Sequence, residues 1–300
     1  MSWEQTWVDA NGVRLSVLES GPIDRPPVVL LHGMRDVADS LLPIADRLTP
    51  RYRVLLPELR GHGRSDQPGC YTFEHYLFDL HALWQARGLR QAHVIGHSLG
   101  GQILVRLASV FPEWVSTAIV VEGLGPPDRP EDQATDGWLT SYGQHLLAAL
   151  GAPTRQRPLP DLDFAISRLI ANNPRLKPQE AARIAQAATT RQPDGTLTWA
   201  FDPRIGMTFT ARTRRADNEP FWRNVRCPTL IVSGDLAHEY WRAQFPTDWD
   251  GRFADGELKA RVDLFAQHEH VSLPQAGHMV HYDQPEALAT AVLDFLERHS

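Results

Sequence analysis

Short apolar runs recur along the first 120 positions, and each stops at a residue that favours a turn. Trp3–Val8 and Val13–Leu18 flank Asn11-Gly12, a dipeptide suited to the positive φ angles of a tight hairpin. Val28–Leu31 ends at His32-Gly33, Val54–Leu56 at Pro57, Ala92–Ile95 at Gly96, and Ala118–Val121 at Glu122-Gly123. These four runs do not alternate apolar with polar residues. Strands of that kind are buried on both faces, which calls for a mostly parallel sheet covered by helices on both sides. Between the runs, Phe73–Ala86 has helical periodicity. Leu99–Phe111 places Leu104, Leu107, Ala108 and Phe111 on one face before Pro112 ends it. Alternating strands and helices predict the α/β class.

The pattern breaks after Val121. Residues 126–160 hold six prolines, and two helical stretches follow, Asp161–Ala171 and Pro178–Thr190. Strand-like runs resume at Thr229–Val232 and His270–Leu273, and a helix over Pro285–Arg298 closes the chain. Residues 126–224 therefore read as a mainly helical cap inserted into a core made of 1–125 and 225–300. The segment 238–266, with Trp241, Phe245 and Trp249, is long for a strand connection; it reads either as a second flap or as surface.

Composition mainly removes options. With 42% hydrophobic and 22% charged residues, the 300-residue chain has globular proportions. Thirty basic against thirty-six acidic residues, a net −6, provide no broad footprint for nucleic acid. Cys70 and Cys227 cannot build a disulfide framework or a cysteine-rich zinc site. No basic-then-apolar leader opens the chain, and no apolar run reaches the ~20 residues of a membrane span. A cytoplasmic protein without membrane span is the expectation.

The chemistry concentrates at Gly96-His97-Ser98-Leu99-Gly100, where a buried-strand run meets the start of an amphipathic helix. A serine hydroxyl is a weak nucleophile until a base takes its proton. A sharp strand-to-helix turn presents the hydroxyl clear of its neighbours, and small residues at 96 and 100 relieve the crowding. The helix start adds free N–H groups, with Leu99 N–H placed for a developing oxyanion.

Three further motifs accompany this turn in order: His32-Gly33, Arg60-Gly61-His62-Gly63-Arg64-Ser65 and Gly277-His278-Met279-Val280-His281. Together the four resemble the α/β-hydrolase superfamily, esterase- and lipase-like members with a helical cap, over nearly the whole chain. The resemblance implies an α/β-hydrolase fold with Ser98 as nucleophile, His278 as general base, and Met34 and Leu99 N–H groups as the oxyanion hole. Gly33 would allow close backbone approach, and His32 reads as orienting that loop. The triad acid stays open. The family's usual turn is here Gly234-Asp235-Leu236-Ala237, with alanine at the expected carboxylate. Glu122, at the other strand end that the family uses, is the first candidate. Asp235 is the second, and Glu239 is also in reach by order along the chain.

The implied reaction is hydrolysis of small or medium carboxylic esters through an acyl-Ser98 intermediate, with no metal or organic cofactor. Activity should fall below about pH 6.5, where a free imidazole protonates. A lactonase, a C–C bond hydrolase or a perhydrolase would use the same residues. A cofactor-free oxygenase or a non-catalytic ligand-binding protein on this fold are the readings from other classes. Trp138, Phe164, Trp199, Phe201, Met207 and Phe209 are candidates to line the substrate pocket, together with His32 and Gly33; each cap aromatic could equally form the cap's own core. His268 and His270 share a strand face without a third metal ligand, His97 reads as packing beneath the turn, and His281 as a packing or surface residue. Oligomeric state is not legible.

Overall fold

In the computed structural model, which describes residues 2–128, 137–209, 215–244 and 249–299, eight strands form one sheet. They are β1 (Glu4–Ala10), β2 (Val13–Ser20), β3 (Pro27–Leu31), β4 (Arg53–Pro57), β5 (Ala92–His97), β6 (Val115–Val121), β9 (Thr229–Gly234) and β10 (His268–Leu273). The order is β1-β2-β4-β3-β5-β6-β9-β10. The β1–β2 and β2–β4 pairs are antiparallel; from β4 to β10 every pair is parallel. A short hairpin, β7 (Thr189–Arg191) with β8 (Leu197–Trp199), stands apart from the sheet.

The non-alternating runs fill both faces. Val29 and Leu31 of β3, Val94 of β5, and Ala118 and Val120 of β6 pack towards α2 (Phe73–Ala86) and α3 (Leu99–Val110). Val28, Leu30, Ile95, Ile119 and Val121 pack towards α1 (Leu42–Leu48) and the closing helix Pro285–Arg298. Each such aliphatic side chain, taken fully from water, contributes about 1.5–3 kcal/mol. The strands nevertheless run beyond their apolar runs. Gly96 and His97 stay in β5 because they pair with Val120 and Val121 of β6, so backbone pairing carries the strand two residues past the end of the pattern.

The inserted segment does not behave as one unit. Helices Gly137–Leu150, Leu162–Asn172 and Pro178–Ala187, with the β7–β8 hairpin, rise off the sheet. The second and third of these helices build a small core in which Leu176, Ala181 and Ile184 meet Val37 and Tyr282 of the sheet domain. The helix Arg215–Asn224 instead lies on α3: Trp222 joins the sheet's core, Asn218 Oδ1 accepts from Arg106 at 2.7 Å, and Asn224 donates to the Ser109 carbonyl at 2.8 Å. The expected boundary at 224 therefore put a sheet-covering helix into the cap. Its polar sequence, with only Phe221 and Trp222 as large apolar residues, hid that role.

Backbone bonds weld the cap to the Arg60–Ser65 turn. Gly63 N–H donates to the Ala200 carbonyl at 2.6 Å, Asp202 N–H donates to the Gly61 carbonyl at 2.8 Å, and the Tyr71 hydroxyl donates to Asp202 at 2.8 Å. Among the described residues, no helix is long and apolar enough to cross a membrane.

The turn after β5 tolerates no side chain at its glycines. A Cβ on Gly96 would lie 2.4 Å from the Gly100 carbonyl oxygen, and one on Gly100 would lie 2.3 Å from that of Leu31. Both obstacles are backbone, so neither can swing aside. Gly100→Ala should lower the unfolding free energy by about 1–3 kcal/mol, the scale of overpacking in a close-packed interior. A wild-type midpoint for Gly100→Ala in urea denaturation would refute this.

Candidate active site

Ser98 sits between the end of β5 and the start of α3 with φ 50° and ψ −112°. A non-glycine residue held there stores about 1–3 kcal/mol of strain. Two bonds impose it: Ser98 N–H donates to the Val121 carbonyl at 2.9 Å, and the Ser98 carbonyl accepts from Gln102 N–H at 3.1 Å. The hydroxyl is left above the sheet edge, where His278 Nε2 lies 3.0 Å from Oγ.

Glu122 leaves β6 in the same manner, with φ 50°. Its N–H donates to the Val232 carbonyl of β9 at 2.9 Å. Its carboxylate accepts from Gly234 N–H at 2.8 Å and meets His278 Nδ1 at 3.1 Å. A carboxylate can only accept, so Nδ1 carries the proton and the Nε2 lone pair faces the Ser98 hydroxyl. The other two acids are elsewhere. Asp235 is exposed and its carboxylate accepts no hydrogen bond among the described residues, whereas Glu239 is tied to Arg175 at 2.8 Å. Only Glu122, of the three, reaches His278.

The alpha/beta-hydrolase-fold family matches residues 26–285. This chain belongs to that family. Among its relatives, a 2-(acetamidomethylene)succinate hydrolase of Mesorhizobium japonicum is 26% identical over 97% of this chain and 94% of its own length. A putative carbamate hydrolase of Caulobacter sp. (strain K31) is 28% identical over 93% of this chain and 94% of its own. In three dimensions, the thioesterase domain from the curacin biosynthetic pathway superposes with a TM-score of 0.82 at 23% identity, covering 98% of this chain and all of that one. That likeness concerns the fold.

Within the alpha/beta-hydrolase frame, the His278 loop is held from three sides. From below, His97 Nε2 donates to the His278 carbonyl at 2.9 Å. Laterally, Gly277 N–H donates to Asp283 at 2.7 Å, and Arg175 from the cap holds the same carboxylate at 3.0 Å. From above, Tyr240 stacks on the imidazole with ring centroids 4.1 Å apart and planes 14° from parallel, while Trp241 meets it edge-on at 5.0 Å. The helix His238–Gln244 thus closes over the imidazole, which resolves part of the 238–266 segment as a flap; Phe245 lies outside the described residues. Tyr240 escaped the sequence reading because nothing in its spacing separates it from a surface tyrosine.

The sequence also concealed a buried polar cluster beneath the loop. Asp36 accepts from Val37 N–H and the Tyr282 hydroxyl at one oxygen, and from the Ser40 hydroxyl and His281 Nε2 at the other. Burial alone would raise the Asp36 carboxyl. The His281 hydrogen bond, with the electrostatic effect of the same ring, overcomes this and holds it well below the carboxylate range. Burial, with the charges of His281 and His278, keeps His97 neutral, well below its ordinary value. Asp36, His97 and His281 bring ligand-type atoms within 4.8 Å of one another. Both Asp36 oxygens are already occupied, which suits a hydrogen-bonded brace better than a metal centre.

The remaining candidates divide. Leu99 opens α3, so its N–H has no helical acceptor. Met34 N–H likewise donates to nothing among the described residues. His32 lines no pocket: the ring is fully buried, Nδ1 bonds the Gly33 carbonyl at 2.7 Å, and Nε2 accepts from Leu59 N–H at 3.0 Å. The loop-orienting reading of His32 stands in place of the pocket one. Gly33 lies against His97 and Ser98, close enough that a Cβ would touch both side chains. Trp199 packs in the cap's own core, and Phe209 packs on the sheet core, edge-to-face with Phe73 at 5.9 Å. Both rings are half-buried against those cores. Phe201 bridges to the Arg60–Ser65 turn at His62, and Phe164 is exposed. The Trp138 side chain lies outside the described residues.

The brace has a pH signature. The folded state resists protonation of Asp36, so its contribution is complete above the unfolded value near ~3.9 and is lost as the pH falls below it. Asp36→Asn should cost about 2 kcal/mol at neutral pH, the scale of leaving buried hydrogen-bond partners unsatisfied. The gap from wild type should narrow progressively as the pH falls below about 4, closing only in stronger acid. Denaturation curves at the two pH values check this; an unchanged gap in acid would refute it.

Proposed function

We propose that this chain is a serine hydrolase that cleaves carboxylic esters of small or medium size through an acyl-Ser98 intermediate. The observation that carries the reading is the unbroken relay from Ser98 Oγ to His278 Nε2 at 3.0 Å and from His278 Nδ1 to Glu122 at 3.1 Å. The family and the hydrolases named among its relatives support the hydrolytic part; ester cleavage is the reaction that asks the fewest features beyond the relay itself.

In this mechanism His278 takes the Ser98 proton as Oγ attacks the substrate carbonyl. Met34 and Leu99 N–H groups receive the charge that develops on the carbonyl oxygen. The imidazolium is stabilised by Glu122, which stays ionised, and passes its proton to the departing alcohol. Water then attacks the acyl enzyme, with His278 again as base. The buried pairing of Glu122 and His278, each with under a tenth of its side chain exposed, keeps solvent from competing for Nδ1. Tyr240 and Trp241 shield the ring from above.

A chain-length series of p-nitrophenyl esters tests the reading. Ser98→Ala should abolish turnover, and a fluorophosphonate should label Ser98 in the wild type alone. Glu122→Gln should reduce kcat by up to ~10⁴, because the wrong imidazole tautomer is then held towards Ser98. Asp235→Asn should change kcat by about twofold at most, as befits an exposed substitution. Turnover surviving in Ser98→Ala would overturn the mechanism; a larger loss in Asp235→Asn than in Glu122→Gln would overturn the choice of acid.

A further inference from the structure

Four arginines lie where the cap meets the sheet domain, and each holds a carboxylate. Arg64 pairs with Asp39 and Glu58, Arg175 with Glu239 and Asp283, Arg183 with Glu180, and Arg204 with Asp202. Arg35 is the exception. It is exposed, and among the described residues no carboxylate pairs with it. Its backbone is held at φ 61°, a left-handed conformation that arginine does not adopt without constraint. The constraint comes from its neighbours. Asp36 is anchored in the buried cluster through both oxygens, and Gly33 accepts from Asp36 N–H across the turn. On the other side stands Met34, whose N–H the mechanism assigns to the oxyanion.

The guanidinium thus projects from the oxyanion loop itself. It lies 5.8 Å from the centre of the Phe201 ring, which belongs to the cap. Burial raises the Tyr240 phenol, and the Arg35 charge is near enough to oppose that rise. Tyr240 is the residue stacked on His278. A cation in an imposed conformation therefore stands among the oxyanion loop, the cap and the cover of the general base, with no counter-charge among the described residues.

We propose that Arg35 binds a carboxylate carried by the substrate, so that the preferred esters are half-esters of dicarboxylic acids rather than neutral ones. The proposal rests on the acyl-transfer reading of Ser98 and adds the substrate class. A guanidinium offers two parallel N–H donors to a carboxylate, which adds orientation to charge. The imposed backbone conformation sets the direction in which the Arg35 side chain leaves the loop. Phe201 gives the guanidinium an aromatic face to rest on, leaving its N–H edge for the ligand.

Binding and turnover separate this proposal from the reading beneath it. On a Ser98→Ala background, calorimetry would compare monomethyl esters of malonic to adipic acid with the corresponding dimethyl esters. At least one monomethyl ester should bind about tenfold more tightly than its dimethyl partner, as a charge-assisted bond implies. The preference should weaken with added salt. It should vanish in Arg35→Gln and survive in part in Arg35→Lys, which keeps the charge but not the fork and also controls for the strained backbone. Monomethyl esters binding no better than dimethyl esters, or a preference that persists in Arg35→Gln, would overturn the proposal. Turnover of neutral esters by Ser98→Ala would instead strike the acyl-transfer reading and leave the binding result standing.

Discussion

Two neighbouring strands leave the sheet through the same strained step, and the site is built on it. Ser98 at the end of β5 and Glu122 at the end of β6 both sit at φ 50°. Each is pinned by the next strand across: Ser98 N–H to Val121 of β6, Glu122 N–H to Val232 of β9. The β9 end completes the series by donating Gly234 N–H to the Glu122 carboxylate. Three hydrogen bonds thus climb the carboxyl edge of the sheet and link backbone geometry to side-chain position. The burial of β5, β6 and β9 on both faces opposes relaxation of that strain, because releasing either residue would unpair interior backbone groups. The parallel sheet is in this sense the source of the preorganisation, with the chemistry placed where its pairing ends.

The imidazole is positioned by a different kind of force. His278 lies on a loop, where precision must be supplied from outside. His97, adjacent to Ser98 in sequence, grips the His278 carbonyl, so one short segment fixes both partners of the Oγ–Nε2 contact. The buried Asp36–His281 pair tethers the following helical turn to the oxyanion loop, and Arg175 ties the cap to the same loop through Asp283. The inserted segment, the Gly33–Asp36 turn and the His278 loop are therefore joined by shared hydrogen bonds.

Much of this was legible in the sequence for a definite reason. The strand ends, the glycines at 96 and 100, and the order of Ser98, Glu122 and His278 depend on local backbone demands, which short segments encode. Glu122 could be ranked above Asp235 because it stands at a strand end while alanine occupies the usual acid position. What stayed hidden depends on pairs distant in the chain. Asp36 and His281 are 245 positions apart, and neither carries a local signature of its partner. Tyr240 and Arg35 look like surface residues until folding brings one onto His278 and the other beside Phe201. The helix Arg215–Asn224 was assigned to the cap because one buried tryptophan does not make a periodic stripe.

The use of glutamate at 122 also has a geometric logic. An acid on the turn after β9 would approach the imidazole from a loop of its own. Here that turn keeps only its backbone role, and its Gly234 N–H steadies a carboxylate that arrives from β6. The longer glutamate side chain leaves one oxygen for Gly234 and the other for His278 Nδ1. The Glu122 carboxylate is thereby held at the sheet edge, and the turn after β9 leads into the helix that carries Tyr240 and Trp241 over the imidazole. Moving the carboxylate one strand inward and placing an aromatic cover outside it are two parts of one arrangement, since the turn after β9 begins the path to that cover.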